Sequence, residues 1–122
     1  MSGLPKRLQL ASPSHARSKV QEKETAERIG GTQTPRSGAG HIKADVRLKK
    51  VVRIEDKTTK HASFSVTSEH IEKLERAVAG ADEVPIMKVE ILSGAVEFLV
   101  IPGIYFEDIV EALRIAAENP SG

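Results

Sequence analysis

Residues 44–57 read ADVRLKKVVRIEDK, and this stretch decides the fold that the sequence predicts. Apolar and polar residues alternate over 44–48 and again over 51–57. Such alternation is typical of half-buried strands. Lys49 and Lys50 leave room only for a tight turn between them, so the stretch predicts a β-hairpin.

The register of this hairpin follows from its apolar residues. A slip by one residue would bury a charged arginine among them. The register that avoids this pairs Leu48 with Val52 and Val46 with Ile54. The hairpin is therefore expected to have one apolar and one charged face.

The charged face carries a candidate metal site. Continued by one residue, the register places Asp45 opposite Glu55, with Lys57 on the same face. Cross-strand Cβ atoms lie about 4.5–5.5 Å apart, so two carboxylates there can share a divalent cation. Mg²⁺ prefers oxygen ligands and retains waters that can attack a phosphate, while a lysine can orient such a water or offset developing charge. The spacing Asp-x9-Glu-x-Lys alone also fits an ordinary charged surface.

A short amphipathic helix is predicted for residues 18–29, ending at a Gly-Gly pair. At about 100° per residue, Glu22 falls in the middle of the apolar face, whereas Glu24 and Glu27 lie opposite. A buried carboxylate is costly unless it is paired or binds a metal, so this position predicts a partner for Glu22. The alternative is a loosely packed helix whose Glu22 reaches water.

The remaining pattern predicts an α/β fold in the order α-β-β-β-α-β-β-α, with a central mixed β-sheet flanked by helices. Gly, Pro and Ser predict a loop over 32–40. The later elements are expected as a strand at 63–66, a helix that opens after a Thr67 cap and runs to Ala79, strands at 85–92 and 95–101, and a helix at 105–118. One domain is expected over 18–118, after a basic, disordered tail at 1–17 and before a C-terminal tail at 119–122.

Charge is distributed unevenly along the chain. Residues 1–61 contain 14 Lys or Arg against 6 Asp or Glu, a net charge of +8, and residues 62–122 contain 4 against 11, a net charge of −7. The positive half is typical of a polyanion-binding surface, although an ordinary drift in surface charge is the alternative.

Composition excludes several classes of protein and site. The chain has no cysteine, so a disulfide framework, a thiolate zinc site and a cysteine nucleophile are excluded. No apolar run approaches the roughly 18 residues that cross a bilayer, and no secretory signal is visible. We therefore expect a cytoplasmic protein with no membrane partner.

Five short segments occur in order over about residues 18–105. They are Gln21-Glu22, Gly30-Gly31, Pro35-Arg36-Ser37-Gly38-Ala39, Lys43-Ala44-Asp45-Val46 and Ile54-Glu55-Asp56-Lys57-Thr58-Thr59. Together they resemble the PD-(D/E)XK nuclease superfamily, and within it the small Holliday-junction resolvases of archaeal and bacteriophage type. The chain departs from many relatives in having Ala44 before the aspartate and a shorter first helix, which leaves Glu24 open as an alternative to Glu22.

The resemblance implies a restriction-endonuclease-like fold and a homodimeric, Mg²⁺-dependent endonuclease for branched DNA, with Mn²⁺ as a substitute and the host cytoplasm as the location if the protein is phage-encoded. The implied metal ligands are Glu22, Asp45, Glu55 and the main-chain carbonyl of Asp56. Lys57 is the implied catalytic lysine. Arg36 and Ser37 are implied phosphate contacts.

Basic residues around these carboxylates predict a DNA-contacting rim, made of Lys43, Arg47, Lys49, Lys50, Arg53 and Lys60. Lysine in a hairpin can also serve only to block edge pairing. The expected function is the resolution of Holliday junctions. Two alternatives stay open: another nuclease of the superfamily that nicks, repairs or restricts duplex DNA, and a non-catalytic DNA-binding accessory protein.

Overall fold

The computed structural model describes residues 13–34 and 46–119. In chain order the elements are α1 (Pro13–Ile29), β1 (Thr32–Gln33), β2 (Val46–Leu48), β3 (Val52–Thr59), α2 (Ser68–Ala77), β4 (Val84–Ile91), β5 (Val96–Val100) and α3 (Phe106–Glu118). The strands form one sheet in the order β1-β2-β3-β4-β5. Strands β3 and β4 are parallel and the other neighbours are antiparallel. The α/β class with a mixed, helix-flanked sheet is confirmed.

The β2–β3 hairpin has the register that its apolar residues predict. Leu48 pairs with Val52 and Val46 with Ile54. Lys50 closes the turn with a φ of +67°, in the left-handed region. Asp45, the next residue along this register, lies outside the described residues.

Helix α1 begins five residues before the predicted start. The guanidinium of Arg17 explains the additional turn, because it binds Glu90 of β4 at 2.6 Å and Glu24 of the same helix at 3.1 Å. These hydrogen bonds, to Glu90 first and Glu24 second, raise the pKa of Arg17. The last residues of the predicted tail are thus part of a helix held against the sheet.

The Gly-Gly pair after α1 has two tasks. Gly30 has a φ of +70°, which ends the helix. Gly31 lies so close to β2 that a Cβ atom there would be 2.7 Å from the carbonyl oxygen of Arg47. A side chain at position 31 would therefore push β1 and β2 away from the helix end.

Two apolar clusters fix the two flanking helices on opposite faces of the sheet. The cluster under α1 is built on Ala26, Val46 and Ile54. The cluster under α2 is built on Leu74, Met87 and Val89. Since neighbouring residues of a strand point to opposite faces, α1 and α2 sandwich the sheet.

Two local predictions were wrong. Residues 63–66 form no strand, although Phe64 packs against the cluster under α2. Strands β3 and β4 each have a neighbouring strand on both sides. Residues 63–66 therefore cannot pair with either of these central strands. Conversely, Thr32–Gln33 of the predicted loop pairs with the edge of β2.

Helix α2 begins as predicted at the Thr67 cap. The Thr67 side chain accepts a hydrogen bond from the His70 backbone, and the His70 ring accepts one from the Thr67 N–H. Within the described residues, no helix combines the length and apolar character needed to span a membrane.

Candidate active site

Three consecutive charged residues of β3 are divided between the two faces of the sheet. Glu55 and Lys57 lie on the α2 face, and Asp56 lies on the α1 face. The Asp56 carboxylate accepts a hydrogen bond from the Thr25 hydroxyl of α1 at 3.1 Å. Glu55 instead approaches Lys73 of α2. The two adjacent acids therefore sit in different surroundings.

The carboxylate of Glu55 lies between two ammonium groups. Its oxygens are 3.8 Å from Nζ of Lys57 and 4.0 Å from Nζ of Lys73, and its side chain is 12% exposed. Both distances exceed those of a hydrogen bond, so these ion pairs leave the carboxylate oxygens able to accept a further partner. We refer to Glu55, Lys57 and Lys73 as the Glu55 site.

Lys73 was not found from the sequence. It lies 18 residues after Glu55 on a separate helix, and it reaches Glu55 because the β3–α2–β4 crossover packs α2 over this part of the sheet. The adjacent Leu74 is buried in the cluster under α2, which fixes the position of the helix. No local pattern predicts this contact, since it depends on tertiary packing.

A layer of charged side chains lies on the α1 face, with Asp56 and Lys88 buried at its centre. Nζ of Lys88 is 3.7 Å from Asp56 and 3.3 Å from Glu97 of β5. Glu97 also accepts a hydrogen bond from Arg28 of α1 at 2.9 Å. Burial raises the pKa of Glu97, but the Arg28 hydrogen bond and the Lys88 charge outweigh it, so the pKa is lowered. This layer joins α1 to three residues of the central and edge strands.

The predicted orientation of the first helix is confirmed. Glu22 is 5% exposed, whereas Glu24 and Glu27 are exposed, so the alternative in which Glu22 reaches water is wrong. However, α1 packs on the face that carries Asp56, opposite to the face of Glu55. Glu22 therefore lies on the opposite side of the sheet from Glu55, and its role as a metal ligand stays a prediction.

Glu83 binds two arginines that were predicted to contact DNA. Its side chain is 1% exposed and lies 2.8 Å from Arg47 and 2.7 Å from Arg53. The backbone N–H of Lys50 donates to it at 3.0 Å, and Arg53 also donates to the carbonyl of Ala77. Burial raises the pKa of Glu83, but these hydrogen bonds outweigh it and lower the pKa to about 2.

Glu83 therefore holds Arg47 and Arg53 beside the hairpin, and their contact with phosphates stays a prediction. Of the other predicted rim residues, Lys49, Lys50 and Lys60 are exposed. The remaining predicted site residues lie outside the described residues: Arg36, Ser37, Lys43 and Asp45.

Residues 13–34 and 46–119 contain no group of three or more His, Cys, Asp or Glu placed to hold a metal ion. Comparison of the chain with protein-family models, with curated proteins and with solved structures found no match.

Proposed function

We propose that the protein is a Mg²⁺-dependent endonuclease of PD-(D/E)XK type that hydrolyses DNA phosphodiesters, with four-way junctions as its substrate. The observation that carries this proposal is the hairpin register, in which Val46 lies opposite Ile54. Continued by one residue, this register would place Asp45 opposite Glu55, on the face that also carries Lys57. Two carboxylates and a lysine would then converge beside the cleavable bond.

The chemistry of the Glu55 site fits a magnesium ion. Carboxylate oxygens are the ligands that Mg²⁺ prefers. Glu55 is partly exposed, and its ion pairs with Lys57 and Lys73 are longer than hydrogen bonds. Asp45 and the main-chain carbonyl of Asp56 would complete the ligand set, with Glu22 as the predicted ligand from α1. When bound, the ion would polarise a phosphate and lower the pKa of a water. Mn²⁺, which also suits oxygen ligands, would substitute.

The two lysines of the site supply electrostatic stabilisation. During phosphodiester hydrolysis, negative charge builds up on the phosphate oxygens. Lys57 and Lys73 hold ammonium groups within 4.0 Å of Glu55, next to the place where the phosphate would lie. Their charge would offset the repulsion between Glu55 and DNA, and Lys57 would orient the attacking water.

Exposed lysines at both ends of β3 support DNA binding. Lys49 and Lys50 occupy the turn before the strand, and Lys60 follows its last residue. The strand has 8 residues. At about 3.3 Å per residue this separates the two basic ends by roughly 26 Å, enough to contact several successive phosphates. A backbone that crosses the Glu55 site would meet positive charge on either side.

Cleavage of both strands at a junction requires two sites related by a two-fold axis, so the proposal includes a homodimer. The testing experiment compares labelled four-way, flap and linear duplex DNA, each with Mg²⁺ or EDTA. We expect paired nicks in the four-way junction in Mg²⁺ alone. Equal cleavage of linear duplex would indicate a duplex nuclease instead. Binding without cleavage of any substrate would indicate a DNA-binding accessory protein and overturn the proposal.

A further inference from the structure

Helix α3 presents large apolar side chains to solvent. Phe106 is 63% exposed, Val110 47% and Leu113 65%. No residue of the helix is buried. Within the described part of the chain, its main neighbour is the short turn at Gly103–Tyr105 that precedes it. The helix therefore contributes little to the sheet's own apolar clusters.

The apolar side chains of α3 have the spacing of a two-helix seam. Phe106, Val110, Leu113 and Ala117 follow one another at intervals of four, three and four residues. At about 100° per residue they fall within an arc of roughly 60°. This is the spacing of the a and d positions in helices that pack along their length. Ile115 lies on the opposite side of the helix.

We propose that α3 is a self-association surface, on which α3 of one copy packs antiparallel against α3 of a second copy. Centred on residues 110–113, this arrangement places Phe106 opposite Ala117 of the second copy and Val110 opposite its Leu113. Each large ring then meets a small residue, and the two medium-sized side chains meet each other. The two-fold axis repeats both contacts, which gives a closed, isologous interface.

The charges beside the seam favour the antiparallel direction. Glu107 and Arg114 occupy the same flanking position one heptad apart. In an antiparallel pair, Glu107 faces Arg114 of the second copy, and the axis forms this ion pair twice. A parallel pair would place Arg114 beside the apolar Ile109 and leave Glu107 without a cation across the seam.

Arg114 is well placed for such a contact. Its own helix holds it through Glu111 and, at 3.0 Å, through Glu118. Its side chain is 57% exposed, so part of the guanidinium remains open to an additional carboxylate. A guanidinium has five N–H donors and can serve more than one acid at once.

This pairing rests on the homodimer that the proposed function requires. The α3 pairing is tested by measuring molecular mass in solution, whereas the nuclease function is tested by DNA cleavage. Either proposal can therefore fail without the other. A short helix on each side gives a small interface, below about 1,200 Å² in total, which is typical of weak complexes. We therefore expect the dimer to dissociate on dilution.

Sedimentation of the full chain over a range of concentrations tests the seam. The parent is expected to change from a 13.2 kDa monomer to twice that mass as its concentration rises. Leu113→Glu should weaken association by more than about tenfold, because it places a charge in the seam. Ile115→Glu is the matched control on the opposite side of α3, with 50% exposure, and should associate like the parent.

Charge reversal tests the direction. Glu107→Arg alone and Arg114→Glu alone should each weaken the dimer, and the two changes combined should restore it, with helix content followed by circular dichroism. A parent that stays monomeric throughout would overturn the proposal. Equal dissociation by the Ile115 variant, or no restoration by the double variant, would overturn the seam or its direction.

Discussion

The ammonium group of Lys57 lies 3.8 Å from the carboxylate of Glu55, and both side chains point to the α2 face of β3. Asp56, between them in the chain, points to the other face and pairs with Thr25 and Lys88. Neighbouring acids of one strand thus have different roles, because strand geometry sends them to opposite sides of the sheet. Glu55 belongs to the proposed active site, and the Asp56 side chain belongs to the layer that holds α1.

Asp56→Asn is therefore expected to lower the stability of the fold while leaving the rate of DNA cleavage largely unchanged. The change removes one of two carboxylates beside the buried ammonium of Lys88, which should lower the free energy of unfolding by about 2 kcal/mol. Denaturant unfolding measures this loss. Cleavage by the folded variant should stay within a few-fold of the parent, since only a main-chain atom of Asp56 is a predicted ligand. A folded but inactive variant would contradict this division of roles.

The contacts of Glu83 with Arg47, Arg53 and the Lys50 backbone predict a specific pH dependence of stability. The folded pKa of Glu83 is lowered from 4.5 to about 2, so its contribution is present above pH 4.5 and is lost as the pH falls towards 2. Glu83→Gln should lower the free energy of unfolding by about 3 kcal/mol at neutral pH, since one pKa unit corresponds to about 1.4 kcal/mol.

Unfolding of the parent and Glu83→Gln, measured from pH 7 to pH 2, checks this prediction. The difference between the two should narrow as the pH falls below 4.5. Glu72→Gln removes the same charge from an exposed position of α2 and serves as the control. A difference that is constant with pH would mean that packing, and not ionisation, makes Glu83 stabilising.

Much of the hairpin was predictable because its information is local. Alternation along two adjacent strands and the cost of burying an arginine are enough to choose the register of Leu48 with Val52. The burial of Glu22 was likewise predictable from the 3.6-residue period of one helix. In both cases the sequence neighbours also determine the structural surroundings.

The remaining contacts depend on segments far apart in the chain. Glu83 lies 30 residues from Arg53, and nothing near either residue indicates that the α2–β4 connection brings them together. For residues 63–66 the sequence predicted a strand that does not form. Alternation of apolar and polar side chains is typical of a strand, but it does not show whether a partner strand is available. Lys73 was missed for the same reason, since tertiary packing alone places it beside Glu55.

Glu22 provides a test of how the two faces of the sheet contribute to the metal site. We expect Glu22→Gln to raise the Mg²⁺ concentration needed for half-maximal cleavage, because Glu22 is the predicted metal ligand from α1. Glu27→Gln, on the exposed side of the same helix, should leave that concentration unchanged. A Glu22 variant with reduced stability but an unaltered Mg²⁺ requirement would instead assign this residue to the layer around Asp56.

The most direct test of the proposed nuclease compares Glu55→Gln with Glu72→Gln on a labelled four-way junction, with cleavage and binding measured on the same samples. We predict that Glu72→Gln cleaves like the parent in Mg²⁺ and that neither cleaves in EDTA. Glu55→Gln should bind the junction as tightly as the parent or more tightly, since it removes a negative charge, but should not cleave it. Undiminished cleavage by Glu55→Gln would contradict the account.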